Sequence, residues 1–407
     1  MDPRRLSCVP IVLIGVALMA AGCTSPRRIS AKTGRTTPTL RADVLADATP
    51  SRAARPDPTL PAVLSVAVGA HESSPPPGHD PRDDDPDFGY TPIPGDVYAV
   101  PGEFEAAQAL ILAFADDALE LLPRYVELIE AGQREARVVV LYNSDAALAE
   151  LQLGLSRAGV ELLDVTFEHV PLDSAWIRDY GPVFALTKRG DFRIIDTRYY
   201  GARMSDDVVP TTLGEAWGFA VSRPPLITEG GNLLSDGLGL CVVSDEVLAR
   251  NNVWEISELE DVYASYFGCG RVTVVPALAG EGTGHVDMLA TITGPAEAIV
   301  GAYRDGDDLE NAERLDEAAA LMLGAGFRVR RIPMPTNQDG RFRSYTNALA
   351  LNGVVFVPVY SDDRRHEAEA LRVFADAYPG RRIVPIDATD LIQWSGAVHC
   401  ITLTVAR

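Results

Sequence analysis

A recurring interval constrains this 407-residue chain more than any other feature. At five points a polar residue leads out of a loop into an apolar stretch. They are Asp179 before Tyr-Gly-Pro-Val-Phe, Asn232 before Leu-Leu, His285 before Val-Asp-Met-Leu-Ala, Asn347 before Ala-Leu-Ala-Leu, and Cys400 before Ile-Thr-Leu. The successive intervals are 53, 53, 62 and 53 residues. A near-constant period of this size is what stacked or radially arranged supersecondary units produce. Five such units around an axis would bring five equivalent loops to one end, and their leading polar residues into one cavity. Spacing alone does not establish five-fold closure.

The segments between fit α/β units. Short apolar strands, several closing on proline, are expected at Val138–Leu141, Val165–Pro171, Val272–Pro276, Val329–Pro333 and Ile383–Pro385. Helical spacing of apolar residues falls at Leu119–Ala131, Ala146–Ala158, Leu309–Ala325 and Glu367–Ala377, often ending at glycine.

The first residues belong to targeting rather than to the fold. Arg4 and Arg5 precede an apolar run from Ile11 to Ala21, whose 11 residues fall short of the roughly twenty a spanning helix needs. A basic start, a short apolar core and small residues before a cleavage point make an export signal. Ala20-Ala21-Gly22-Cys23 resembles a bacterial lipobox, which implies cleavage after residue 22 and lipidation of Cys23. Thr24 in place of Asp at the next position points to outer-membrane sorting where the cell has one. Residues 23–95 are rich in Pro, Ser and Asp and read as a flexible tether, with a short strand allowed near residues 61–70. Residues 96–407 are left as one catalytic domain.

The formal net charge of −21 argues against nucleic acid as a partner and suits a cationic ligand. Cys8 and Cys23 belong to export, one in the signal and one as the lipidation site, leaving Cys241, Cys269 and Cys400 as the thiols of the mature chain. An odd count leaves at least one thiol free, while the pairing of Cys241 with Cys269 stays open.

The converging residues carry chemistry as a set. Cys400 follows the small residues Ser395-Gly396-Ala397 and opens a strand; taken alone it reads as a buried core cysteine. His285 and Asp287 sit in Gly282-Thr283-Gly284-His285-Val286-Asp287-Met288, where strand alternation would point both to one side. Alone, the pair fits half a metal site or a structural pair equally. No further His or Cys stands at metal-ligand spacing, so no metal is expected. Trp176-Ile177-Arg178-Asp179-Tyr180-Gly181-Pro182 gathers an aromatic, a cation and a carboxylate before a turn. Glu229-Gly230-Gly231-Asn232 offers a third carboxylate on a glycine turn, or a plain hairpin.

Together these segments resemble the agmatine deiminase and bacterial peptidylarginine deiminase family of the pentein, or guanidino-group-modifying, superfamily. The matching stretches are Val100-Pro101-Gly102-Glu103-Phe104-Glu105, Trp-x-Arg-Asp-x-Gly-Pro, Glu-Gly-Gly-Asn, Thr-Gly-His-Val-Asp-Met, Tyr345-Thr346-Asn347-Ala348 and the terminal His-Cys-Ile-Thr. They span essentially the whole core, and the resemblance implies a five-bladed, pseudo-symmetric α/β propeller. It implies that Asp179 and Asp287 clamp a guanidinium, that His285 is the general acid and base, and that Cys400 is the nucleophile. Trp176 would pack on the substrate's aliphatic stem, Asn347 and Glu229 would support or contact the substrate, and Arg203 or Arg198 could hold a substrate carboxylate. No cofactor is required.

The guanidine is the open question. Agmatine-type members carry Gly-Gly-Gly-Asn-Ile-His-Cys before the last strand and often Asn after His-Val-Asp. Here Ser395-Gly396-Ala397-Val398 and Met288 stand instead, nearer the exported peptidylarginine type. Arginine in a peptide or protein is therefore the preferred substrate, with agmatine the alternative. Two rivals come from other classes: an amidase or peptidase built on Cys400 and His285, and a non-catalytic lipoprotein that binds a ligand. Nothing in the sequence speaks to the oligomeric state.

Overall fold

The computed structural model describes residues 89–251, 256–304 and 306–407. The export signal, Cys23, nearly all of the tether and the strand near residues 61–70 lie outside the described residues.

Strands account for the spacing seen in the sequence. The first four are β1 (Val97–Ala99), β2 (Ala107–Phe114), β3 (Arg137–Tyr142) and β4 (Val165–His169). Next come β5 (Val183–Thr187), β6 (Phe192–Ile195), β7 (Ala220–Ser222), β8 (Leu234–Ser235), β9 (Leu240–Ser244) and β10 (Arg271–Val275). The C-terminal third adds β11 (Ala290–Gly294), β12 (Glu297–Ala302), β13 (Arg328–Pro333), β14 (Leu349–Leu351), β15 (Val354–Val359), β16 (Arg382–Asp387) and β17 (Thr402–Ala406).

These strands form five small sheets, in the orders β1-β5-β6-β7, β10-β9-β8, β11-β12-β13, β14-β15-β16 and β17-β2-β3-β4. One pattern repeats in each: an antiparallel pair, then a parallel neighbour reached across a helix-bearing connection. Thus β5 runs antiparallel to β6 and β6 parallel to β7, and β8, β9 and β10 repeat it. The strands β11 to β13 and β14 to β16 do the same. The fifth sheet joins the two ends of the domain, since the last strand, β17, pairs with β2 near the start. Each polar residue of the interval stands just before the first strand of this pattern, β5, β8, β11, β14 or β17.

The prolines mark the other edge. At the sheet margin on the parallel side, Pro333 and Pro385 lie within β13 and β16, and Pro171, Pro224 and Pro276 stand just past β4, β7 and β10. An outer strand tolerates the missing N–H that an inner ladder would not. Among the middle strands β15 is Val-Val-Phe-Val-Pro-Val and buried throughout, its Pro358 lying past the residues that pair with β14.

Helices cover the sheets. Ser144 caps the helix Asp145–Arg157 by accepting the Ala147 N–H at 3.0 Å. Asp308 does the same for Leu309–Ala325 through the Asn311 N–H at 3.0 Å, and Gly326, at φ 108°, ends that helix in the left-handed region. The helix expected at Leu119–Ala131 is instead a 3-10 turn, Asp116–Leu121, followed by the α-helix Leu122–Gly132. Pro123 explains the break, because a residue without an N–H is suited to a helix's first turn and not its interior. Cys241 and Cys269 form a disulfide that ties β9 to the turn before β10.

Candidate active site

The leading residues do converge, and each is set by its own local turn. Asp179 lies in a single helical turn, Ile177–Tyr180, stopped by Gly181-Pro182. Glu229 precedes a 3-10 turn, Gly230–Asn232, rather than a hairpin. His285 and Asp287 do not lie on a strand as alternation suggested: His285 caps a 3-10 turn, Val286–Met288, ahead of β11. That turn forms because its backbone is gripped from outside. Glu281 Oε2 accepts the N–H groups of Thr283 and Gly284 at 3.0 and 2.7 Å, and Asn232 Oδ1 accepts that of Val286 at 3.2 Å.

Two glycines make the approach close enough. A Cβ at Gly231 would lie 2.5 Å from His285 Nδ1 and 2.7 Å from Asp179 Oδ1; at Gly230 it would lie 2.1 Å from the Arg178 carbonyl oxygen. No other residue fits either position without displacing the site.

His285 sits between two carboxylates. Its Nδ1 is 3.4 Å from Asp179 Oδ1 and its Nε2 is 3.0 Å from Glu229 Oε2. Neither contact has hydrogen-bond alignment, so these are ion-pair distances with the ring nitrogens not fully satisfied. The other oxygen of Glu229 takes the Arg250 guanidinium, which also reaches the Tyr200 hydroxyl at 2.9 Å. Cys400 lies on the far side, its sulfur 3.3 Å from Asn347 Nδ2 and 3.9 Å from Asp287 Oδ2. Trp176 closes a wall: a Cβ at Gly396 would be 2.5 Å from the Trp176 ring and 3.2 Å from the Cys400 Cβ.

Three of the residues expected to bind substrate have partners within the protein. Glu229 pairs with His285 through one oxygen and with Arg250 through the other. Asn347 is spent on the sulfur and on the His399 N–H, which its Oδ1 accepts at 3.0 Å. Arg203 donates to the Tyr199 hydroxyl at 2.9 Å and to Ser174 Oγ at 3.4 Å, behind Trp176. The phenol that satisfies this cation comes from its own segment, four residues upstream.

Other members of the site were not singled out from the sequence. His399 Nδ1 lies 2.7 Å from Asp287 Oδ2, and its Nε2 lies 2.6 Å from Glu103 Oε2. Glu103 Oε1 takes the Arg178 guanidinium. Glu103 and His399 are 296 positions apart, and Arg250 stands outside the repeating interval. For Glu103 and His399 the available signal was their place in the quoted motifs; Arg250 had none.

The charges are strongly coupled. Burial raises Asp179 to about 6, with the neighbouring Asp287 adding to it and His285 only partly offsetting it. Burial also pushes the Cys400 thiol well above its ordinary value, and Asp287 and Asp179 push it further, so the empty site holds a thiol. Asp179 Oδ1 and Asp287 Oδ1 are both buried without a hydrogen-bond partner. Asp179, Glu229 and His285 bring ligand atoms within 4.8 Å of one another, a set able to hold a metal ion. Arg250 already supplies Glu229 with the positive charge that a metal would bring.

A small cavity of about 70 Å³ lies along the strands that follow the site, lined among others by Val183, Leu234, Ile292 and Leu403. Gly282, Arg341, Phe342 and Ser395, from the loops that lead to His285, Asn347 and Cys400, frame an open groove of about 310 Å³.

Comparison with known proteins agrees with this geometry. Residues 99–405 match the Porphyromonas-type peptidyl-arginine deiminase family. A Vibrio parahaemolyticus protein named "Putative agmatine deiminase" is 25% identical over 358 residues, covering 75% of this chain and 96% of the relative. The solved agmatine deiminase of Enterococcus faecalis superposes with a TM-score of 0.69 at 20% identity, covering 79% of this chain and 98% of its own. That of C. jejuni gives 0.66 at 18%, covering 76% and 96%. The fold is the α/β pentein fold of these structures, and the chain belongs to the agmatine deiminase and Porphyromonas-type peptidyl-arginine deiminase family, hydrolases of guanidino carbon–nitrogen bonds.

Proposed function

We propose that the protein deiminates arginine in a peptide or protein, releasing ammonia and leaving citrulline, through a covalent adduct on Cys400. The observation that carries the reading is the pair of buried carboxylate oxygens that accept no hydrogen bond, Asp179 Oδ1 and Asp287 Oδ1. Two such acceptors beside a thiol are costly unless a ligand brings donors and positive charge. A guanidinium brings both in a flat fork.

The chemistry follows from the charges. A guanidinium keeps its proton to a pKa of about 12.5, so it enters as a cation and neutralises both aspartates. Those two anions are what hold the Cys400 thiol up after burial itself, so binding lowers the barrier to its ionisation. The thiolate attacks the central carbon, His285 passes a proton to the departing nitrogen, and the C–N bond breaks to release ammonia. The S-alkylthiouronium left behind is attacked by water, with His285 as base and Glu229 holding the ring. The C–S bond then breaks, giving the ureido product and the restored thiol. Trp176 would lie along the aliphatic stem.

The preference for peptidyl arginine rests on the family match, and an open groove framed by the loops that lead to His285, Asn347 and Cys400 is in keeping with it. Agmatine is the second reading, favoured by the names of the relatives. The five sheets, each sending one leading residue to the site, support a five-bladed arrangement about that site. Export as a lipoprotein anchored at Cys23 completes the proposal, and the Cys241–Cys269 disulfide suits an oxidising compartment.

The test follows ammonia and ureido product from a peptide ending in arginine, one with internal arginine, agmatine and free arginine, with Cys400→Ala as control. Turnover of either peptide above agmatine supports the proposal, and agmatine in first place replaces it with the second reading. No product from a folded wild-type protein would leave a binding protein as the better account.

A further inference from the structure

A second chain of charges lies behind Asp287, and the mechanism above leaves it unused. His399, the residue before the nucleophile, is buried with a carboxylate on each ring nitrogen: Asp287 on Nδ1 at 2.7 Å and Glu103 on Nε2 at 2.6 Å. A neutral imidazole has one donor and one acceptor nitrogen, so it would turn a lone pair toward one of these anions. Only the imidazolium donates to both.

The surroundings decide for the cation. Burial favours the neutral ring and the Arg178 charge does likewise, but Glu103 and Asp287 outweigh them and hold the His399 pKa above its ordinary value. Glu103 stays ionised at the other end: burial would raise it, yet Arg178 and His399 hold it down to about 2. The charged or titratable groups facing the ring are therefore Glu103 from the loop before β2, Arg178 and Asp179 from the turn Ile177–Tyr180, Asp287 from the turn before β11, and the adjacent Cys400.

The division of labour on Asp287 is the telling feature. Its Oδ2 is committed to His399, while its Oδ1 is buried with no partner. Arg178 reinforces the arrangement from behind, since its Nε donates to the Thr402 carbonyl oxygen at 3.1 Å while its other end holds Glu103. The nucleophile's loop and the clamp carboxylate are thus fixed by one network.

We propose that His399 is a positively charged positioning residue for substrate binding: as an imidazolium held by Glu103, it keeps Asp287 ionised and turned so that Oδ1 meets the guanidinium. This rests on the guanidinium reading of the site. It predicts that the charge of His399, and not only its bulk, sets affinity for a cationic substrate.

The experiment uses the full mature chain with His399→Gln and Glu103→Gln, each checked for folding by circular dichroism and thermal melting. Two readouts are compared across pH: KM against kcat for the substrate turned over best by the wild type, and the rate at which Cys400 is alkylated by a cationic haloacetamidine relative to neutral iodoacetamide. In His399→Gln, KM should rise roughly ten- to a hundredfold, the scale of a lost hydrogen bond to a charged group, with kcat changed far less. The preference for the cationic reagent should fall in parallel. In Glu103→Gln the ring keeps one carboxylate, so the alkaline rise in KM should begin at lower pH than in wild type. A folded His399→Gln protein with unchanged KM and reagent preference overturns the proposal. So does a Glu103→Gln protein whose alkaline rise has not moved, and this variant decides alone if the first does not fold. A wild type with neither deimination nor cationic preference sinks the guanidinium reading together with this one, and unchanged variants of an active wild type are a different result.

Discussion

Asn347 places its side-chain nitrogen 3.3 Å from the sulfur of Cys400 while its oxygen accepts the backbone N–H of His399 at 3.0 Å. One amide therefore fixes both the thiol and the loop that carries it. Asn347→Asp keeps the acceptor, loses the donor to sulfur and adds an anion beside a thiol that burial, Asp287 and Asp179 already push up. We expect kcat to fall about ten- to a hundredfold, the range for losing a hydrogen bond to a charged group, with KM within about twofold. Alkylation by iodoacetamide should slow and its pH dependence should move to higher pH. An unchanged alkylation profile would show that the amide does not act on the sulfur.

Gly231 is where the side chains of the site crowd the backbone. Its missing Cβ is what lets His285 and Asp179 stand side by side, at 2.5 and 2.7 Å from where that carbon would be. Gly231→Ala should leave the fold melting cooperatively, because the displaced atoms are side-chain ends, and should lower kcat/KM by about a hundredfold or more by moving the imidazole. Retention of near-native turnover would mean that His285 has room to move, against the geometry.

Asp179 makes a prediction in which stability and activity part. Burial, then Asp287, raises it to about 6, above the ordinary carboxylate value, so the folded protein holds this proton more tightly than the unfolded chain. Ionising it costs no stability below that ordinary value and a growing amount as pH rises to about 6, constant beyond. Asp179→Asn removes the cost and should stabilise the protein at neutral pH by about 1–3 kcal/mol while abolishing deimination. In the wild type, kcat/KM should rise through about pH 6 as the clamp ionises. Thermal melts at acid and neutral pH test the first part: the gap between variant and wild type must close toward acid. An acidic limb that persists in a partly active Asp179→Asn protein would assign it to another group.

The interval of leading residues made the repeating unit and the convergence of Asp179, His285, Asp287 and Cys400 legible, because each opens the first strand of a like unit. The helices Leu309–Ala325 and Glu367–Ala377 fall where apolar spacing put them. Local conformation was less legible. Alternation is a property of strands, and the His285–Asp287 segment is bent into a 3-10 turn by Asn232 and Glu281, partners distant in sequence or outside any pattern. The network of Glu103, Arg178 and His399 was hidden for a related reason. A contact between residues at opposite ends of a domain leaves no periodic trace when the strand that closes the domain is its last.

The disulfide gives a prediction independent of the chemistry. Cys241 and Cys269 close a loop with a sequence separation of 28 and pack among Ala185, Tyr263 and Phe267, whereas Cys400 is the free cysteine among the described residues. Loop-closure entropy assigns a bridge of this span about 3–4 kcal/mol, an upper figure because the unfolded chain keeps some structure. The double variant Cys241→Ala, Cys269→Ala should melt lower by several degrees, and reductant should lower the midpoint of the wild type but not that of the variant. Neither cysteine has a hydrogen bond or ion pair with Asp179, His285, Asp287 or Cys400, so kcat and KM measured well below the melting range should be unchanged. A midpoint insensitive to reductant would show that the bridge constrains little in the unfolded chain. Lost turnover in a variant that is fully folded at the assay temperature would instead tie the sheet of β8, β9 and β10 to the placement of Glu229 and His285.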